Sequence, residues 1–284
     1  LQSAAEGWPE ALLGQFRLSS VSANPGKLYE NPVTLDQADL DMRIVFDPFR
    51  LEIGQLVLRE DGETLVASGR ADIGMQGWRV AVDARARALE IGKILNVWPD
   101  VAKPKTRTWI EQNILKGTLE DVRLAFRAVP DTAPDLHLNF AYKDASLRFI
   151  KTLPVITDGR GYVRIEGARF LAASEAGTVT PPQGGKIEIA GTVFEIPDMR
   201  IKGAPASVSL RTNSTVTAAL SLLDHDPFKF LSKAGQSVTL ADGRAAVSGA
   251  IDFALKKNVP VSEILFDLEG DITGVRSETL VANR

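Results

Sequence analysis

The sequence predicts a mainly β protein: a long curled antiparallel sheet that forms a hydrophobic groove and carries a few short helices. Three observations predict it. Apolar and polar side chains alternate two by two, as in Leu136, Leu138, Phe140 and Tyr142 or in Ile264, Phe266 and Leu268. Alternate residues of a pleated strand share a face, so each run builds a sheet with one apolar and one wetted side. Helical spacing is confined to short stretches, too few to cover so much apolar sheet, which must curl on itself or meet a partner.

Residues 1–87 read as N-terminal strand repeats, with alternating segments at Leu40, Met42, Ile44 and Phe46, at Leu51 and Ile53, at Leu56 and Leu58, and at Trp78, Val80 and Val82. Asp47-Pro48 and Asp61-Gly62 reverse the chain between them, giving hairpins in a meander. Residues 88–117 read as a helical insertion of two short helices. Leu89, Ile91, Ile94 and Leu95 recur three or four apart before Trp98-Pro99, and Ile110 and Ile114 do so after Pro104. Proline suits a first helical turn, and Gly117 suits a left-handed cap beyond the last.

Residues 118–284 read as a β-groove domain with short helices near 218–234, and all three regions can belong to one continuous elongated sheet. The period of two returns at Val122, Leu124 and Phe126, from Leu136 to Tyr142, and at Leu147 and Phe149, Val163 and Ile165, Ile187 and Ile189, Met199 and Ile201, and Val208 and Leu210. A loop is expected from Ser174 to Gly185, helix at Ala218–Leu223 and Phe228–Leu231, and strand again at Val247, Ile251, Phe253 and Leu255. A faint repeat, a strand ending in glycine and restarting, recurs at Gly69, Gly167 and Gly249, where glycine would relieve crowding at a bend or bulge.

At 284 residues with 44% apolar and 24% charged content the chain is long and apolar enough to fold, and it contains no run of apolar residues that would span a bilayer as a helix. A net charge of -3 gives nucleic acid no basic footprint. Cysteine is absent, which excludes disulfides and thiolate chemistry. The chain opens at Leu1 without an initiator methionine and closes just after Leu280 and Val281, and we read it as a piece of a longer protein.

The catalytic inventory is thin, and we expect no enzyme, no cofactor and no metal. His137 has the parity opposite to Leu136 and Leu138 and faces water. Asp224-His225-Asp226-Pro227 has metal-donor types, but a helix start with Asp226 as N-cap and Pro227 in the first position explains it more simply. Asp158-Gly159-Arg160-Gly161 lacks the spacing and context of a phosphate loop and reads as a turn, and Gly184-Gly185-Lys186 lacks the flanks of a Walker loop. Asp39, Asp41 and Glu188 occupy the solvent parity of their strands.

An ordered set of short motifs resembles the YhdP branch of the AsmA-like family. It runs through Trp98-Pro99, Trp109-Ile110, Gly117-Thr118-Leu119, Ala145-Ser146-Leu147-Arg148-Phe149, Leu153-Pro154-Val155-Ile156 and Gly159. It continues through Gly191-Thr192-Val193-Phe194-Glu195-Ile196-Pro197-Asp198-Met199, Gly203-Ala204-Pro205-Ala206 and Asp226-Pro227-Phe228, covering about half of the chain. The resemblance implies a periplasmic segment of a bridge-like protein of the Gram-negative envelope, held to the inner membrane by an N-terminal segment that this chain lacks. It further implies that phospholipid acyl chains lie in the groove and pass toward the outer membrane, supporting outer-membrane integrity.

On this reading the candidate groove lining is the apolar parity of Leu136, Leu138, Phe140, Val163, Ile165, Ile187, Ile189, Met199, Ile201, Val208 and Leu210. The expected partners are phospholipid, the rest of the same longer chain, and envelope proteins at the sheet edges. The alternative is a structural or assembly module of the envelope without lipid cargo.

Overall fold

The computed structural model describes residues 2–3, 9–24, 26, 29, 31–226, 228–256 and 259–277. Strands β1 (Gln2–Ser3), β2 (Pro9–Ala23), β3 (Val33–Val45), β4 (Arg50–Glu60), β5 (Glu63–Gly74) and β6 (Gly77–Glu90) come first, followed by helices α1 (Ile91–Val97) and α2 (Pro104–Asn113). Then come β7 (Ile114–Ala128), β8 (Asp135–Leu147), β9 (Ile156–Glu166), β10 (Arg169–Val179), β11 (Ile187–Glu188), β12 (Val193–Ile196) and β13 (Pro205–Thr215). Helices α3 (Val216–Leu223) and α4 (Phe230–Lys233) precede β14 (Asp242–Ala254) and β15 (Leu265–Arg276). The strands lie in one sheet in chain order, except that β12 stands off this path and pairs with both β10 and β13. The mainly β class with few short helices is therefore as the alternation predicts.

Two compact units interleave along the chain: 1–111 with 118–141 and 164–167, and 112–117 with 142–163 and 168–284. In the first, Asp61 and Gly62 are both left-handed, at φ 47° and 79°, which suits the tight hairpin between β4 and β5. Leu51 and Ile53 share one strand with Leu56 and Leu58, because the register of β4 against both neighbours slips around Gly54. A bulge there adds one residue and restores the apolar face. That bulge is why the alternation changes phase in the sequence. β2 has no counterpart in the sequence reading, since Leu12-Leu13 and the run Ser19-Ser20 blur its period.

Pro104 does open α2, behind a left-handed Lys103 at φ 51°. The helices are shorter than expected, however. Leu89 belongs to β6, Ile114 begins β7, and Gly117 is a strand residue rather than a cap. Its φ of 155° is one that a side chain rarely adopts, so glycine serves the strand's backbone there.

The second unit overturns several expectations. Asp158-Gly159-Arg160-Gly161 is not a turn but part of β9, and Gly159 and Gly161 are buried there. A side chain on Gly161 would collide with the Ala173 carbonyl oxygen and the Tyr142 hydroxyl. Ser174 to Val179 continue β10, so the loop before Gly185 is shorter than predicted. Of the three repeat-like glycines, Gly69 and Gly249 lie inside strands against a facing backbone oxygen, whereas Gly167, at φ 59°, turns the β9–β10 hairpin.

The capping prediction for Asp226 also fails, and Pro227 lies outside the described residues, as do Leu280 and Val281. Helix α4 begins at Phe230 with Lys229 as its left-handed N-cap, and the carboxylate that serves it is Asp224, which accepts the Ser232 N–H at 2.7 Å and the Ser232 hydroxyl. These bonds to Ser232 hold the Asp224 carboxyl below its usual range. Asp226 pairs with Lys229 at 3.1 Å instead. Helix α3 is capped by Thr215, whose hydroxyl accepts the Ala218 N–H at 3.0 Å.

Candidate functional site

Paired residues of an antiparallel ladder point to the same side of the sheet, so the registers give the composition of each face. In the first unit four transverse rows of side chains cross β2 to β7. One runs Phe16, Leu40, Leu56, Ala67, Ala84, Leu124, and the next runs Leu18, Ala38, Leu58, Leu65, Ala86, Val122. On the same face, along the opposite flank of the first row, lie Gly14, Met42, Ile53, Gly69, Val82, Phe126 and then Leu12, Ile44, Leu51, Ala71, Val80, Ala128. Every position in these rows is apolar or glycine. Five strand spacings of ~4.8 Å and three two-residue steps of ~6.8 Å make the patch roughly 24 by 20 Å.

The reverse face is knit by charge. Asp39 accepts from Arg59 at 2.6 Å, Arg17 at 3.0 Å and Gln37 at 2.9 Å, so two cross-strand arginines and a glutamine share one carboxylate. The Arg59 and Gln37 hydrogen bonds lower its pKa to about 2. Asp72 sits between Arg70 at 2.9 Å and Arg79 at 3.2 Å, and Arg127 grips both oxygens of Asp83 at 2.8 and 2.9 Å. Apolar side chains and ion pairs thus occupy opposite faces of the same strands.

One end of the apolar patch meets α1. Leu35, Leu58, Leu65, Leu89, Ile94 and Val97 line a crevice there together with Glu60, Glu63 and Lys93, and it holds only about 40 Å³. That is room for about one water, so anything larger must lie on the open face. Beyond the far end of the rows Phe49 and Trp78 meet edge to face, with centroids 5.8 Å apart.

The second unit repeats the design on β12 to β15. Phe194, Val208, Ile251 and Phe266 form one row, and Leu210, Gly249 and Leu268 lie beside it. Phe194 contacts Phe170 at 5.9 Å and Phe253 at 6.4 Å between ring centroids. At the end of the face α3 presses directly on the sheet. Its Ala218 is 0% exposed between Val179 and Ile187, and Val216 packs on Ala241 and Ala245. Ser221 of the same helix accepts the Gln183 N–H at 3.2 Å, fastening the Gly184 loop over it.

The sequence-predicted lining residues therefore divide. Leu136, Leu138, Phe140, Val163 and Ile165 take the less exposed parity of β8 and β9, and Val208 and Leu210 that of β13. Ile187 is buried under α3, with Ile189 packed at the margin of that cluster. Met199 and Ile201 are not in a strand: they lie in the turn between β12 and β13, 38% and 53% exposed. Asp198 makes that turn by accepting the Arg200 N–H at 2.9 Å and its guanidinium at 2.6 Å, and Arg200 draws its pKa down to about 2. The first unit's face went unnamed as a site, although Leu40, Met42, Leu56, Leu58, Val80 and Val82 carried the same alternation.

The polar motifs do not converge. His137 is exposed beside Asp135 at 3.2 Å, and His225 Nε2 is buried without a partner. Among the described residues no group of three histidines or carboxylates is placed to hold a metal, and no helix is long and apolar enough to cross a membrane. Compared with family models, with curated proteins and with solved structures, this chain matches none.

Proposed function

We propose that this chain is a lipid-binding segment of a bridge-like envelope protein. Phospholipid acyl chains lie on its apolar sheet faces while their headgroups stay in water, and lipid moves along the faces between the inner and outer membranes without an enzymatic step. The observation that carries this reading is the unbroken apolar patch of β2 to β7, backed by a face stitched with ion pairs. A patch roughly 20 Å along the strands accommodates one leaflet's depth of hydrocarbon, which is half of a ~30 Å bilayer core. Each CH₂ laid there gains ~0.8 kcal/mol, so a sixteen-carbon tail gains on the order of 10 kcal/mol, close to what it leaves behind in a bilayer. Near-balance lets lipid enter and leave.

The resemblance to the YhdP branch of the AsmA-like proteins supports a periplasmic location and an anchor at the inner membrane outside this chain. The test is lipid extraction from the purified chain, expressed in the periplasm of a Gram-negative host, followed by mass spectrometry. Phospholipid retained through washing, and exchanged for labelled phospholipid from vesicles, is the expected result. A protein that is folded, free of lipid and unable to take up the label would overturn the proposal.

A further inference from the structure

β15 differs from the other long strands. All twelve of its residues are exposed, and among the described residues it pairs on one side only, with β14. Its free side therefore carries a row of backbone donors and acceptors that another strand can meet. Phe266, Leu268 and Ile272 continue the apolar face to this edge at 40–54% exposure.

The opposite parity carries Asp267, Glu269 and Asp271, and these stand across from Ala250, Ser248 and Ala246 of β14. No basic residue stands directly opposite them, the nearest one on that side of β14 being Arg244, opposite Thr273. Elsewhere several strand carboxylates meet an arginine on the neighbouring strand: Arg17 and Arg59 on Asp39, Arg43 on Glu52, Arg79 on Asp72, Arg127 on Asp83 and Arg169 on Glu195. β15 has the acidic half of that ladder and lacks the basic half.

We infer that the β15 edge receives a further β-strand from a protein partner, one carrying lysine or arginine at alternate positions and apolar residues between them. The basic positions lie against Asp267, Glu269 and Asp271, and the apolar ones extend the face of Phe266, Leu268 and Ile272. A second β15 is disfavoured as the occupant, because like charges would stand opposite each other. The β2 edge of another copy offers one arginine, Arg17, which already serves Asp39. The inference does not depend on lipid: strand addition draws on main-chain hydrogen bonds and side-chain parity alone.

The test uses the full chain and two labelled eleven-residue peptides, one alternating lysine with valine and one alternating glutamate with valine, read by fluorescence anisotropy and amide hydrogen exchange. The lysine peptide is expected to bind at least tenfold more tightly than the glutamate peptide and to slow exchange in residues 265–276. The triple variant Asp267→Lys, Glu269→Lys, Asp271→Lys is expected to reverse the preference. Should that variant not fold, Glu269→Lys alone is expected to narrow the preference at least threefold. Failure of both peptides to bind, equal binding of the two, or binding that leaves exchange of 265–276 unchanged would each overturn the inference, the last by reducing it to charge attraction.

Discussion

Helices α1 and α3 each cover the end of an apolar sheet face, yet they do so in opposite ways. α3 brings small residues, so Ala218 and Val216 reach the sheet and close its end with two buried clusters. α1 brings Lys93, Ile94 and Val97, none of its residues is buried, and a crevice lined in part by Glu63 remains. The polar faces differ as well. β2 to β7 are cross-linked by arginine and carboxylate, whereas on the wet side of β13 and β14 serine stands opposite the charges, Ser207 across from Asp252 and Ser248 across from Arg211. The same two-residue alternation thus serves a sealed end in one unit and a loosely covered one in the other, and side-chain size at the helix decides which.

The largest expected effect comes from opening the sealed end. Gly184 is left-handed at φ 85°, and a Cβ there would run into the backbone of Ala218. Gly184→Ala should cost roughly 2–4 kcal/mol, combining the left-handed penalty with overpacking, read as a shift in the urea midpoint. Gly62, left-handed at φ 79° in open space, should cost only about 1 kcal/mol on the same change. Equal losses at both sites would remove the distinction between sealed and open ends.

Next in size is the apolar patch of the first unit. Leu124→Asp should reduce lipid retained by the chain several-fold with the strand content unchanged by circular dichroism, whereas Arg123→Asp, on the reverse face, should leave the lipid count as it was. Retention of the wild-type lipid load in both variants would move the site elsewhere.

The ion-paired face should respond to acid. Arg59 and Gln37 depress the folded pKa of Asp39 to about 2 from an ordinary 3.8, so its contribution to stability is complete above the unfolded value and is lost as the pH falls through that window. Asp39→Asn should flatten this part of the stability profile and leave the neutral-pH response to alkali unchanged. A wild-type midpoint that is level from pH 4 to 2 would contradict the assignment. The smallest effect is expected at Ile201→Ser in the β12–β13 turn, within about 0.5 kcal/mol of wild type, because the side chain is already half in water.

The alternation of Leu40, Met42, Ile44 or of Leu136, Leu138, Phe140 was enough to read strands and their apolar parity, because a period of two sustained over a long run fits only a pleated strand. Asp61-Gly62 and Pro104 were legible because backbone φ preferences act locally. What was not legible depends on neighbours distant in sequence. Gly159 and Gly161 look like a turn until Ala145 is placed against the first and Tyr142 and Ala173 against the second, and Gly117 looks like a cap until β7 runs through it. Met199 and Ile201 mimic a strand, but the Asp198 carboxylate captures Arg200 and turns the chain. The breadth of the face in the first unit was likewise hidden, because it exists only once the five registers of six strands are aligned.

The central claim, that lipid occupies one face of these strands and not the other, is tested most directly by photocrosslinking at adjacent positions. A photoreactive residue placed at Ala84 or Leu124 lies on the apolar patch, and one at Arg85 or Arg123 lies on the reverse face. Crosslinks to phospholipid at 84 and 124 with little or none at 85 and 123 are the predicted result. Equal labelling of all four positions, or labelling confined to 85 and 123, would contradict the account.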